Sequence, residues 1–373
     1  MGPQLSTGSK SRSTGEGPLL SEKENSTIPF FKVVVNGKEI TEEALGAIES
    51  VTFEDEINTS RIFTMKLSSF DFDDGSFRFI DLDDFCLGSE TKLYMGMDSS
   101  TLMMTGEIVS IEPHFGEDKS TVEIHSYDQL HRLGFGKKQR TFSNKSDSEL
   151  ATMVAGDWNL SSSAEDTKIK YQHIWQYNQS DFEFLLERAK RIRYEFFVEN
   201  KTLFFRPSQE NSSPSLALEY RVDIAEFSVR LRTLYMGSEF HVKGWDFIKK
   251  EPILAIARED DEISDMAAGE TGAKITKSAF GSGLSAVSSA ALDEKIENSL
   301  DAKKLAVAQY NSQLVDAVTG EGKCAGIPEL RAGKTIELKG IGRFSGIYYV
   351  TSTTHVIDNE GYNVFFRVRR VGV

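Results

Sequence analysis

The stretch QSDFEFLLERAKRIRYEFFVENKTLFFRP, Gln179–Pro207, decides how the chain is read. Ser180 followed three residues later by Glu183 has capping-box spacing, in which each side chain takes a backbone N–H that the first helical turn leaves open. Phe182, Leu185, Leu186, Ala189 and Ile192 then fall at i, i+3, i+4, i+7 and i+10, a single apolar stripe. Glu187, Lys190, Arg191 and Arg193 are expected to face away from it. At Tyr194 the period changes, and YEFFV and TLFFRP flank Glu199-Asn200-Lys201 as an aromatic hairpin. Together these predict a small α+β module over 138–215 whose helix covers one face of its sheet. SDSELATMVAGDW (146–158) adds a short helix with Leu150, Met153 and Val154 on one side, and 161–168 reads as a polar loop.

The flanks are strand-rich. FFKVVVNGKEI (30–40) carries Asn36-Gly37, the strongest short hairpin signal. IESVTFEDEI (48–57) and RIFTMKLSSF (61–70) alternate apolar and polar residues, as half-buried strands do. After an acidic loop (71–85), three more β-rich runs extend the meander, so 28–137 reads as one antiparallel barrel or sandwich. Beyond NSSPS (211–215), AEFSVRLRT and EFHVKGWDF alternate again, and 332–371 returns to strands, predicting a second β unit over 216–373. Its interruption at about 250–325 combines a small-residue loop (269–290), expected to be mobile, with a helix over 292–318. Ile296, Leu300, Leu305, Ala308 and Val315 are among that helix's apolar positions. Residues 1–27 are Gly/Ser/Thr-rich and read as a flexible extension. Segments 50–71 and 226–246 each hold two alternating strands ending in an aromatic and Asp. They are either generic hairpins or two copies of one barrel.

Composition narrows the function classes. Among 373 residues, 43 Lys+Arg against 57 Asp+Glu leave a net charge of -14, the wrong sign for a phosphate-backbone binder. Cys86 and Cys324 are two isolated thiols, suited to a reducing cytoplasm and read as buried small hydrophobes. No window approaches the ~20 apolar residues of a membrane span, and the N-terminus lacks a signal-peptide core. The histidines His114, His125, His131, His173, His241 and His355 form no HxxxH or HExxH pattern, so neither catalytic nor metal-ligating residues are assigned, and no cofactor. Asp71, Asp73, Asp74, Gly75, Asp81, Asp83 and Asp84 suggest a calcium loop, but counting from Asp71 places Gly fifth and Leu82 twelfth, which fails the EF-hand pattern. GIGRFSG (340–346) lies between strands and reads as a turn rather than a phosphate loop.

The 179–207 stretch resembles the signature segment of the late control gene D family of phage tails, shared with the N-terminal hub half of VgrG. The matching positions are Ser180, Asp181, Phe182, Leu185, Leu186, Tyr194, Phe196, Leu203, Phe205, Arg206 and Pro207. Three later segments agree in order. VKGWD (242–246) brings Gly244, Trp245 and Asp246; GIPELRAGKTIELKGIGRFSGIYYVTSTTH (326–355) brings Pro328, Gly346 and Tyr348; YNVFFRVRR (362–370) is the closing strand.

The resemblance implies a mainly β chain with two tube-like antiparallel β-barrels, 28–137 and 216–373, plus α/β insertions. It also implies a non-enzymatic baseplate hub of a contractile injection system: a homotrimer adapting a hexameric inner tube to a three-fold spike. Barrel one would be anchored by Val51, Phe53, Phe63 and Met65, and barrel two by Phe227, Val229, Trp245, Tyr349 and Phe365. The partners implied are the chain itself, the inner tube protein, a separate spike protein (no needle follows the last strand) and other baseplate proteins. Direct nucleic-acid recognition and membrane insertion are not expected. The chain would be made in a bacterial cytoplasm and built into a phage tail or extracellular particle. A cell-wall hydrolase and a secreted β-sandwich binding protein are the alternatives. The first lacks a visible catalytic module and the second a signal peptide.

Overall fold

A computed structural model describes residues 28–373 apart from 72–74, 81–84, 98, 235–238, 247, 248, 265, 267, 268, 282–287, 292–295 and 316. The expectations for 1–27 and for most of the acidic calcium-loop run lie outside the described residues.

β1 (Phe30–Val35) turns through Asn36 (φ 50°) and Gly37 (φ 80°) into β2 (Lys38–Glu39), the left-handed pair an Asn-Gly turn supplies. α1 (Glu42–Ala47), capped by Thr41, leads into β3 (Ile48–Glu56) and β4 (Ile62–Ser68). The short β5 (Phe70–Asp71) and β6 (Ser76–Phe77) precede β7 (Glu90–Gly96), β8 (Thr101–Phe115) and β9 (Ser120–Asp128). Next come β10 (Lys138–Lys145), α2 (Asp147–Asp157), β11 (Ser161–Ala164), β12 (Tyr171–Gln179), α3 (Asp181–Ile192), β13 (Tyr194–Glu199) and β14 (Thr202–Pro207). β15 (Leu216–Glu219), β16 (Ile224–Leu231), β17 (Glu239–Asp246), β18 (Glu251–Arg258), α4 (Gly272–Phe280), β19 (Ser288–Ala291) and α5 (Ser299–Leu314) follow. The chain closes with β20 (Val318–Ala325), β21 (Thr335–Lys339), β22 (Gly346–Asp358) and β23 (Gly361–Arg370).

The architecture is mainly β with α+β insertions, but the two tube-like barrels are not present. Thirteen strands make one sheet in the order β16-β20-β23-β22-β3-β4-β9-β8-β7-β1-β2, with β15 and β21 attached beside β22. The reason is β22. Along one edge it pairs with β23; along the other it pairs first with β21 and then with β3, Ser352 opposite Glu56 through Ile357 opposite Val51. β3, which would have to close the first unit on itself, is instead taken up by the second.

The internal echo fails for a related reason. β3 and β4 are hydrogen-bonded neighbours, whereas β16 pairs with β20 and β17 pairs with β18 and β19 in a separate sheet. Val51, Phe53, Phe63, Met65 and Tyr349 are fully buried, Phe227 and Val229 only half so, and Trp245 and Phe365 are 47% and 44% exposed.

Elsewhere regular secondary structure extends into stretches whose polarity reads as loop. Residues 161–164 are not loop but β11, laid parallel on β14. Within the small-residue stretch, 272–280 is the helix α4, where a Cβ on Gly272 would lie 2.3 Å from Ala317 Cβ. Residues 288–291 form β19, parallel to β17. α5 begins only at Ser299, capped by Asn298, and lays Ala302, Leu305 and Ala306 on the main core while Leu300 stays exposed.

Candidate functional site

α3 is built as its sequence dictates, then does more. Glu183 N–H donates to Ser180 Oγ at 3.1 Å and Ser180 N–H to Glu183 Oε2 at 2.8 Å, a complete capping box. Arg193 ends the helix in the left-handed region at φ 54°. Leu185 and Ala189 enter a core with Phe196, Val198, Leu203 and Phe205, and Phe182, Leu186, Ile192 and Tyr194 pack on its margin. A second stripe escaped sequence reasoning. Phe184, Arg188 and Arg191 recur at i, i+4 and i+7 and face the β10–β12 pair, where Phe184 stacks on Phe142 at 5.6 Å. Met153 of α2, expected inside, is instead exposed.

That second stripe carries buried charge. Arg191, expected on the solvent side, is buried and donates to Asp301 Oδ2 of α5 at 2.8 Å. Tyr171 donates its hydroxyl to Asp301 Oδ1 at 3.0 Å, and Arg188 Nε donates to Asp147 Oδ1 at 2.5 Å. Burial raises the Asp147 carboxyl above the usual carboxylate range although Arg188 opposes it. These bonds tie α3 to α2, β12 and α5.

Asp181, at the first position of α3, is a second hub. Its carboxylate accepts from Lys138 (2.6 Å), Arg140 (2.6 Å), Trp158 Nε1 (2.8 Å) and Gln176 (2.9 Å). Burial alone would raise this carboxyl, but the hydrogen bonds from Lys138, Gln176 and Trp158, with the Arg140 charge, hold it below the usual range.

Two further carboxylates join the module to the long sheet, and a third, Asp55, lies within the sheet's own connections. Glu195 of β13 accepts the Tyr349 hydroxyl at 2.6 Å. Glu210 is shared by Arg193 and Arg369, both at 2.7 Å. Asp55 of β3 accepts from Arg61 (3.2 Å) and Arg331 (2.7 Å); burial works against its charge, and the two guanidinium groups prevail and lower its pKa.

The remaining signature residues sit apart. Arg206 lies 4.9 Å over the Phe197 ring, and Pro207 ends β14 opposite Tyr194. Gly244, Trp245 and Asp246 lie in β17, where a Cβ on Gly244 would meet Ile296 Cδ1 at 2.7 Å and Asp246 closes a turn by accepting from Lys249 N–H at 2.9 Å. Pro328 is buried, Gly346 has φ 138°, and buried Tyr348 donates to Phe344 O at 2.7 Å beneath the Arg370 guanidinium. Only the Ser180–Pro207 group shares one module; the signature as a whole forms no cleft.

The opposite face of the long sheet stays in solvent. Lys66 pairs with Glu123 and Arg367 with Glu321 across adjacent strands, and a hollow of ≈ 410 Å³ is lined by Glu54, Glu56, Glu321, Thr354, Phe365 and Arg367. The histidines do not converge. His355 is buried between Tyr362 and Leu330 O and pushed down to about 3 by burial and the Arg331 charge. His125 bonds Thr64 and His131 bonds Asp128 O. Among the described residues no group of three His, Cys, Asp or Glu could hold a metal. Cys324 is buried, its thiol pushed up to about 12 by burial, whereas Cys86, expected inside, is exposed. In GIGRFSG, Gly340 and Gly342 have positive φ (78° and 62°) around a 3-10 turn, so the segment is a strand connection. Among the described residues no helix is long and apolar enough to cross a membrane.

Residues 25–359 match the model of the Alg8 N-terminal domain. Among solved structures, the chain is similar to the 43 kDa tail protein of prophage MuSo2 from Shewanella oneidensis, with TM-score 0.68 and 14% identity, covering 92% of this chain and 98% of that one. It is similar to a tail protein from Neisseria meningitidis MC58, with TM-score 0.67, 13% identity and coverage of 92% and 97%. It is also similar to the E. coli c3393 protein, a type VI secretion component, with TM-score 0.57, 9% identity and coverage of 90% and 76%. No functionally curated protein sequence matches. The fold is thus the one found in phage tail proteins and in type VI secretion components.

Proposed function

The chain belongs to the Alg8 N-terminal domain family, and we propose that it is the structural baseplate hub of a contractile tail or injection particle. It acts there as a trimer between a hexameric inner tube and a three-fold spike. The observation that carries this is end-to-end agreement of fold with a tail protein, 92% of one chain against 98% of the other, which leaves little of either outside the shared architecture. The arrangement of charge fits a scaffold. Buried carboxylates lock one module to another.

In this role the module 138–215, held by the Ser180–Pro207 residues, braces the long sheet through Glu195–Tyr349 and Glu210–Arg369. The protein is made in the bacterial cytoplasm and incorporated into the particle. Deleting its gene should abolish assembled particles while tube and sheath subunits are still made. Normal particles in the deletion strain would overturn the proposal.

A further inference from the structure

The outer face of the β10–β12 pair has a composition that the fold does not ask for. Its inner face is spent on packing, with Phe142 and Ile174 buried in a core with Leu150 and Phe184. On the outer face three cross-strand pairs follow one another: Ser143 opposite His173, Thr141 opposite Trp175 and Gln139 opposite Tyr177. All six residues are exposed, Trp175 and Tyr177 by 71% and 72%. In each pair a hydroxyl or amide stands beside an aromatic ring, and none of the six is Asp, Glu, Lys or Arg. Large aromatics left this far in solvent mark a binding surface, since each offers a broad apolar body and a polar tip.

On its β12 side the face runs into a hollow of ≈ 370 Å³, near the lower end of small-ligand pockets. His173 and Trp175 belong to both. Two of the cations around the hollow are already committed: Arg188 bonds Asp147 and Arg191 bonds Asp301. Glu187, Lys190 and Gln309 complete the polar lining with one carboxylate, one ammonium and one amide, so the hollow favours neither an anion nor a cation. It sets donors and acceptors in balance beside a flat ring. The Ser, Thr and Gln side chains nearby each donate and accept, the same double capacity that a ligand hydroxyl has.

A protein surface fits this face poorly. Three pairs span roughly 14 Å by 10 Å, on the order of 150 Å², against roughly 800 Å² per partner in a stable protein interface. β10 begins at Lys138 and ends at Lys145, so the uncharged face stops at both ends of the strand. A sugar ring matches it better. One side of the ring is made of C–H groups that lie on an indole, its rim of hydroxyls both donates and accepts, and it carries no charge. We propose that the outer β10–β12 face and the hollow beside it bind an uncharged oligosaccharide. One ring stacks on Trp175, and neighbouring hydroxyls bond Thr141, Gln139 and Gln309. The site requires nothing of the assembly in which the chain resides.

The test is a titration of the full-length chain with cellohexaose, chitohexaose and maltohexaose, followed by calorimetry and tryptophan fluorescence. Wild type should bind at least one of the three saturably. Trp175→Ala should weaken that binding roughly tenfold, and Thr141→Val, which keeps the branched shape and loses the hydroxyl, roughly threefold, both with an unchanged Tm. Leu254→Ala, at another exposed apolar position, should leave it unchanged. No saturable binding of any of the three sugars, or binding untouched by Trp175→Ala, would overturn the proposal. Loss of Trp175→Ala from the native assembly, with no sugar bound by wild type, would give the face to a protein partner and overturn it equally.

Discussion

Along the long sheet, Lys66 meets Glu123 and Arg367 meets Glu321 in solvent, whereas around α3 Arg191 meets Asp301 and Arg188 meets Asp147 under cover. The two regions use the same residue types for different ends. The sheet is specified by alternation: Val51, Phe53, Phe63 and Met65 point one way, and the charges opposite them are ornaments of a wet face. The module is specified by which buried cation finds which buried anion. Exposed pairs contribute little, while a buried pair broken on one side leaves an uncompensated charge in a poor solvent for it. The positions that fix how the parts sit together should therefore be the buried charges of α3 rather than the more numerous surface ones.

The sharpest way to break this comparison is Arg191→Ala. It leaves Asp301 of α5 buried without its cation and should cost about 3–5 kcal/mol in urea unfolding. A loss within about 0.5 kcal/mol would mean that α3 does present a simple polar back to solvent. Leu185→Ala, in the apolar core of the same helix, should cost about 3 kcal/mol through its cavity. Its size relative to Arg191→Ala measures how far the charged stripe matches the apolar one.

Asp128 sharpens the contrast through pH. It caps the 3-10 turn Gln129–Gly134 by accepting from Leu130 N–H at 3.1 Å, and burial raises its pKa to about 7. A carboxyl raised in the folded state binds its proton more tightly there than in the unfolded chain. Stability from this group is therefore greatest below its unfolded value near 4 and is lost as pH rises toward about 7. Asp128→Asn keeps the cap and removes the titration, so it should raise Tm by a few degrees at pH 8 and by nothing near pH 4. A constant difference across that range would show that Asp128 is ionised in the fold. Asp55 and Asp181, with lowered pKa values, act oppositely: their contribution is present above the unfolded value and fades as pH falls through the folded one. The smallest effect belongs to Arg367→Ala on the open face, under about 1 kcal/mol. A larger loss would move that face into the structural core of the account.

What could be read from sequence follows the same divide. Strand positions and the α3 cap were legible because period and capping-box spacing are local. The joining of β22 to β3 was not, since nothing within ten residues of either strand says that a long strand will split one edge between two partners. Phe184, Arg188 and Arg191 do have helical spacing, but a stripe with two arginines in it looks like solvent face until Asp147 and Asp301 are seen to meet it. The serine- and alanine-rich segments 161–164 and 288–291 read as loop because their strand state is imposed by β14 and β17, not by their own propensity.

The most direct test of the hub account is electron cryo-microscopy of the purified particle without imposed symmetry. Three copies of this chain at the junction of tube and spike is the predicted result. Six copies, or a location away from that junction, would contradict it.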